Sequence, residues 1–302
     1  MKQGRFGPVV TAMITPMRDD GSVNEAEAAR LTTWLAEHST SAVVVAGTTG
    51  EGPTLDDSEK LGLFQSAVKA ARGGIGVIAN VGSNDTRRSV EFAKKAAACG
   101  VDGLMAVGPY YNKPPQPGLI AHFTAIADAT DLPVMIYNIP GRTGVNILPD
   151  TVVTLASHAN IAAVKESSGD VNQLAEIAAR APSDFSVYSG DDYLALPSAA
   201  VGGCGVVSVV SHVAGKEIAL MLKAFAEGDN DKAAQIHHSL MPLFRSLFVV
   251  TSPIPVKAAM RAFGFAVGEC RLPLCPLTTE QERALRSALV RWLPAGVGAS
   301  AR

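Results

Sequence analysis

Lys165 closes an apolar run, with Ile161-Ala162-Ala163-Val164 before it and Glu166-Ser167-Ser168 after it. A strand turns successive side chains to opposite faces, so Ala163, Lys165 and Ser167 share one side and Val164 and Glu166 the other. If the Ala163 side is the interior of a barrel, the amine stands in a low-dielectric pocket. Such surroundings disfavour an ammonium and free the lone pair that attacks a ketone. A strand-end lysine is more commonly paired with a neighbouring carboxylate, so Lys165 alone decides nothing. Tyr137 shifts the balance. It ends the preceding apolar run, 134–137, and a phenol can carry protons during imine formation and hydrolysis.

Other chemistry-bearing residues follow apolar runs in the same way: Gly47-Thr48-Thr49-Gly50-Glu51, Gly108-Pro109-Tyr110-Tyr111-Asn112, Asn138 through Gly144 with Arg142 inside it, and Ser189-Gly190-Asp191-Asp192. Taken singly, each has an ordinary explanation. Tyr137 could be a core aromatic, Thr48 and Thr49 turn residues bonded to local backbone, and Arg142 a solvated loop charge. Gathered at one barrel end, they describe a proton relay beside an amine, and a carboxylate clamp. Arginine suits the clamp because its planar fork matches a carboxylate.

The positioning elements are legible as eight short β-branched runs, at 9–14, 42–46, 76–80, 103–107, 134–137, 161–165, 185–188 and 205–209. Near-continuous apolar strands indicate a parallel sheet covered on both faces. Helical segments lie between them. The segment 24–38 is opened by Ser22 and Asn24, and 56–72 is acidic in its first turn and basic in its last. Eight regular units without a domain break favour a closed (β/α)₈ TIM barrel over an open doubly wound sheet. After residue 228 the pattern becomes helical, at 231–249, 256–263 and 279–293, punctuated by Pro253, Pro255, Pro273 and Pro276. The expected organisation is a catalytic barrel over 1–228 and a small C-terminal all-helical domain over 229–302, with a disordered tail from 296.

The net charge of −2 offers no basic field for nucleic acid, and no apolar run is long enough to span a bilayer. Cys99, Cys204, Cys270 and Cys275 form no C-x-x-C pair and no disulfide framework, as expected of a reduced cytoplasmic protein. The six histidines make no H-x-H or H-E-x-x-H pair, so no metal is expected. Gly74-Ile75-Gly76-Val77-Ile78-Ala79 matches the dinucleotide pattern formally, but it enters a strand where that fingerprint must follow one. Asp191 and Asp192, after the seventh strand, would repel phosphate. No cofactor is expected.

These motifs together resemble the dihydrodipicolinate synthase family, along essentially the whole chain. The resemblance includes Tyr110-Tyr111-Asn112-Lys113-Pro114, Pro253-Ile254-Pro255-Val256-Lys257 and Arg271-Leu272-Pro273. It implies that Lys165 forms a Schiff base with pyruvate and that Tyr137 passes protons to and from it. Thr48 would link Tyr137 to Tyr111, which reaches into a neighbouring subunit. Thr49 and the backbone around Gly190 and Val207 would hold pyruvate. Arg142 would grip the carboxylate of L-aspartate 4-semialdehyde. The implied assembly is a homodimer at least, pairing into a homotetramer, in the diaminopimelate route to lysine. Sister pyruvate aldolases, such as N-acetylneuraminate lyase or 2-keto-3-deoxy sugar acid aldolases, share the lysine and tyrosine. They typically have serine at the first position of the threonine pair and lack the arginine. A catalytically dead binding paralogue is a third reading, which no motif position supports.

The same resemblance bears on regulation. Lysine-sensitive members bind the inhibitor with histidines after strand two and a glutamate after strand three. Here Asp57, Lys60 and Arg88 occupy those positions, while Asn84 and Tyr110 fit the sensitive pattern. Weak or absent inhibition by lysine is the expectation.

Overall fold

The computed structural model describes residues 1–293; the tail expected from residue 296 lies outside the described residues. The eight strands are β1 (Val9–Ala12), β2 (Ala42–Val45), β3 (Gly76–Asn80), β4 (Gly103–Val107), β5 (Val134–Asn138), β6 (Ile161–Glu166), β7 (Ser186–Ser189) and β8 (Gly205–Ser208). They pair in parallel, in sequence order, and β8 returns to β1 to close the barrel. Strand ends differ from expectation by one or two residues, for local reasons. β1 stops early because the Ile14 N–H is taken by His212 Nε2 at 3.2 Å. β7 starts late because the Phe185 N–H turns back to the Pro182 carbonyl at 3.0 Å. β5 and β6 each run one residue further, to Asn138 and Glu166.

The pleat sorts the strand residues into two cores. Val10, Ala12, Val44, Ile78, Met105, Met135, Tyr137, Ala163 and Val207 fill the barrel interior. Val9, Val43, Val77, Leu104, Ile136 and Val164 face outward against the helices. Lys165 follows Val164 and so shares the interior face with Ala163, as its spacing requires. Alternation is not strict further back. Val134 pairs Ile161 but Met135 pairs Ala163, which leaves Ala162 as a bulge. Ile161 therefore faces outward although it shares Ala163's parity. The bulge brings Tyr137 level with Lys165.

Helix starts follow side-chain caps. Asn24 caps the helix Glu25–Glu37, and Asp56 with Glu59 forms a capping box on Asp57–Ala71. Beyond the barrel come the helices Asn230–Leu247, Ile254–Ala262 and Thr279–Leu289. Their Phe244, Val256, Met260 and Leu285 join the same apolar cluster as the barrel's outer face. Two ion pairs tie this segment to the barrel mouth. Lys257, at 0% exposure, donates to Glu51 Oε1 at 2.8 Å and to the Glu269 carbonyl at 2.8 Å. Glu51 Oε2 accepts the Arg271 N–H at 2.8 Å, and the Arg271 guanidinium grips Glu59. A buried charge pair is tolerated when its remaining donors and acceptors are satisfied, as they are here.

Candidate active site

The C-terminal ends of the strands carry the chemistry. Tyr137 and Lys165 are register partners on β5 and β6, and Lys165 Nζ lies 4.1 Å from the centre of the Tyr137 ring. Both are buried, Lys165 at 6% exposure and Tyr137 at 3%. The next register pair, Asn138 and Glu166, faces the other way and locks the two strand ends together. Asn138 Nδ2 donates to both Glu166 oxygens at 3.1 and 3.0 Å. Gln173 Nε2 and the Ser168 N–H donate to the same carboxylate at 3.0 and 2.7 Å. A satisfied buried network of this kind fixes geometry, and a catalytic amine needs fixed geometry to work. Sequence reasoning placed Glu166 on the outer face but missed this role and that of Asn138. The signal was present: two polar side chains one residue past an interior pair.

Gly190 follows β7 and leaves room for the lysine. A Cβ there would stand 2.7 Å from Lys165 Cε and 1.8 Å from Ser167 Oγ, so no other residue fits without displacing the amine's stem. Val207 lines the interior on β8, and Thr49 is buried at the end of β2. Burial raises the Asp191 carboxyl above the usual range, opposed by the Tyr193 N–H and by the charge of Lys165. Burial likewise pushes Asp192 up to about 6, opposed by the Ser208 hydroxyl and the Val209 and Val210 N–H groups. These contacts tie the β7 and β8 ends together.

A cavity of about 420 Å³ opens beside this cluster, and its lining brings Thr48, Arg142 and Thr143 together with Asp57, Lys60, Asn84, Arg88 and Tyr110. Lys165 and Tyr137 do not line it. Register and burial, rather than this cavity, locate the reactive amine. Arg142 sits in the short helix Pro140–Thr143, its Nη2 donating to Thr251 Oγ1 at 3.3 Å and the Ser252 carbonyl at 3.4 Å. One expected residue is not gathered in. Tyr111 is 90% exposed, with φ +72°. A bulky residue held in the left-handed region costs on the order of 1 kcal/mol and is found where surrounding structure imposes it. Lys113 and Glu51, also in loops at this mouth, share positive φ.

A buried strand-end lysine beneath a tyrosine, at the C-terminal mouth of a closed parallel barrel, defines a Schiff-base-forming barrel enzyme of the class I aldolase type. Known proteins agree. The chain belongs to the Dihydrodipicolinate synthetase family, whose model matches residues 5–291. It is 50% identical over 284 residues to 4-hydroxy-tetrahydrodipicolinate synthase 1 of Halalkalibacterium halodurans, covering 94% of this chain and 96% of that one. Among solved structures, a dihydrodipicolinate synthase of Bacillus anthracis superposes with a TM-score of 0.93 at 46% identity, covering 97% of this chain and 100% of the other. The synthase of Cyanidioschyzon merolae with lysine bound superposes with a TM-score of 0.94 at 48% identity, covering 95% and 98%.

Among the described residues, no helix is long and apolar enough to cross a membrane, and no group of three or more His, Cys, Asp or Glu could hold a metal ion.

Proposed function

We infer that this chain condenses pyruvate with L-aspartate 4-semialdehyde through an imine on Lys165, a step of lysine biosynthesis by the diaminopimelate route. The pairing of Lys165 Nζ with the Tyr137 ring at 4.1 Å carries the reading. The neutral amine attacks the pyruvate ketone, and the carbinolamine loses water to give the imine. Tyr137 supplies the proton that leaves with that water. Loss of a methyl proton gives the enamine, which attacks the aldehyde carbon. The amine of the second substrate then displaces Lys165 and closes the ring. Thr49 and the backbone at Gly190 and Val207 hold pyruvate, and Arg142 holds the carboxylate of the semialdehyde.

Thr48 and Tyr111 extend the proton path from Tyr137. The exposure of Tyr111 supports its acting in a second copy, hence a homodimer at least and, by pairing of dimers, a homotetramer. A barrel over 1–228 with a helical unit from 229, located in the cytoplasm, completes the reading; four free cysteines are in keeping with that location. Arg142 beside Thr48 favours this condensation over the sister pyruvate aldolases. A coupled assay decides between them: product from pyruvate and the semialdehyde is expected, and turnover of N-acetylneuraminate in its place would overturn the assignment.

A further inference from the structure

Just past Lys165, the pleat of β6 brings a second polar side chain to the interior. Ser167 shares the parity of Ala163 and Lys165. Its N–H continues the β5–β6 pairing by donating to the Asn138 carbonyl at 2.9 Å. Ser167 therefore stands nearer the barrel mouth than the amine, on the same face. Gly190 shows how close the two side chains are. A Cβ on Gly190 would lie 1.8 Å from Ser167 Oγ, 2.7 Å from Lys165 Cε and 2.9 Å from Lys165 Cγ, so these three atoms gather around one point at the end of β7. The lysine is thus flanked on two sides. Tyr137, on β5, has its ring centre 4.1 Å from Nζ, and Ser167 sets a hydroxyl beside the lysine stem on the β7 side.

That hydroxyl oxygen is buried, and it has no hydrogen-bond partner among the described residues. The polar groups around it are already engaged. The Ser168 N–H donates to the Glu166 carboxylate at 2.7 Å, and the Gly190 N–H to the Glu166 carbonyl at 2.7 Å. The Ser189 hydroxyl donates to the Asp191 carbonyl at 2.9 Å. A buried hydroxyl that is left unpaired destabilises the free protein, and an alanine there would avoid the loss. A ligand that brings an oxygen to the hydroxyl removes that loss in the bound state only, and the difference appears as affinity or rate. The amine fixes what arrives. A keto acid joined to Nζ brings its former ketone oxygen, on the carbon bonded to nitrogen, and its carboxylate, on the next carbon.

We propose that Ser167 is a contact residue for the keto acid: its hydroxyl, unpartnered in the free protein, donates a hydrogen bond to an oxygen of the acid as it is joined to Lys165, from the side opposite Tyr137. The inference rests on the imine reading given above and adds a residue to it. Ser167 keeps its proton throughout, and Tyr137 remains the group that gives a proton to the departing water.

Ser167→Ala removes the oxygen alone. Borohydride trapping of pyruvate on Lys165, followed against time and pyruvate concentration in parent and variant, tests the proposal beside thermal melting of the free proteins. The variant should form the adduct at least about fivefold more slowly, or need at least about fivefold more pyruvate for half-saturation. A lowered limiting rate assigns the bond to the former ketone oxygen, which the finished imine has lost. A raised pyruvate requirement assigns it to the carboxylate, which persists. The free variant should melt no lower than the parent, because the group removed had no partner. A lower melting temperature would show that the hydroxyl is already bonded in the free protein, and would overturn the proposal. Unchanged trapping in the variant would overturn it too and leave the imine reading standing. No adduct on Lys165 of the parent would overturn both.

Discussion

Lys165 and Tyr137 face each other across adjacent strands, 4.1 Å from amine nitrogen to ring centre, because a bulge at Ala162 resets the β5–β6 register. In this position the amine lies over the face of the tyrosine ring while Asn138 and Glu166, one residue on, anchor both strands from outside the barrel. The reactive pair is thus held by backbone register and a buried polar network rather than by loops.

Arg142 should act on the second substrate. Replacing it with alanine removes a charge-assisted carboxylate contact and should cost roughly 2–3 kcal/mol of transition-state binding. Steady-state kinetics with each substrate varied should show the loss in kcat/KM for aspartate semialdehyde, with pyruvate imine formation little changed. Equal losses in both half-reactions would make Arg142 a structural residue, tethering 140–143 to Thr251 and Ser252.

Tyr111 should work in the neighbouring subunit. Mixed oligomers of Tyr111→Phe and Lys165→Ala chains should recover activity, because both lesions can fall in one site and leave another whole. Absence of recovery, once mass spectrometry has shown that subunits exchange, would confine Tyr111 to its own chain.

Lys257 should matter for stability more than for chemistry. Lys257→Met leaves Glu51 as an uncompensated buried charge and should cost about 3–5 kcal/mol in denaturant unfolding. The double variant Glu51→Gln with Lys257→Met should be less destabilised than the sum of the singles. Strict additivity would mean that the pair does not couple the helical segment to the barrel mouth.

Asp192 should mark the pH profile of stability. Its folded carboxyl titrates at about 6, against 3.8 for the free group, so the folded state binds the proton more tightly. The resulting stabilisation, on the order of 3 kcal/mol, is fully present below about pH 4 and is lost as pH rises through about 6. Asp192→Asn cannot titrate. The difference in unfolding free energy between variant and parent should therefore change between those two pH values and level off outside them. A difference constant with pH would show that Asp192 is not the titrating group.

Much of this was readable from residue types in order. Period-two alternation put Lys165 with Ala163 and apart from Val164, and that is the arrangement in the barrel. Helix starts at Asn24 and Asp56 were marked by residues whose side chains can cap. The bulge at Ala162 was invisible, since strict alternation carries Ile161 inward and only pairing with β5 turns it out. The early end of β1 was hidden for a like reason, because it depends on His212, distant in sequence. Lys257 and Arg271 were noticed only as parts of resembling motifs. Their partners, Glu51 and Glu59, lie some two hundred positions away, and nothing local announces such pairs. Asp57, Lys60, Asn84, Arg88 and Tyr110 stand together in the sequence only as the positions of one regulatory site that the resemblance implies. That they share a wall with Thr48 and Arg142 is a property of the folded loops.

The central claim is that Lys165 carries the covalent intermediate. Incubating the protein with pyruvate, reducing with borohydride and mapping the adduct by peptide mass spectrometry tests it directly. One reduced pyruvate per chain on Lys165 is the predicted result, with none in Lys165→Ala. An adduct on another lysine, or full activity in Lys165→Ala, would contradict the account.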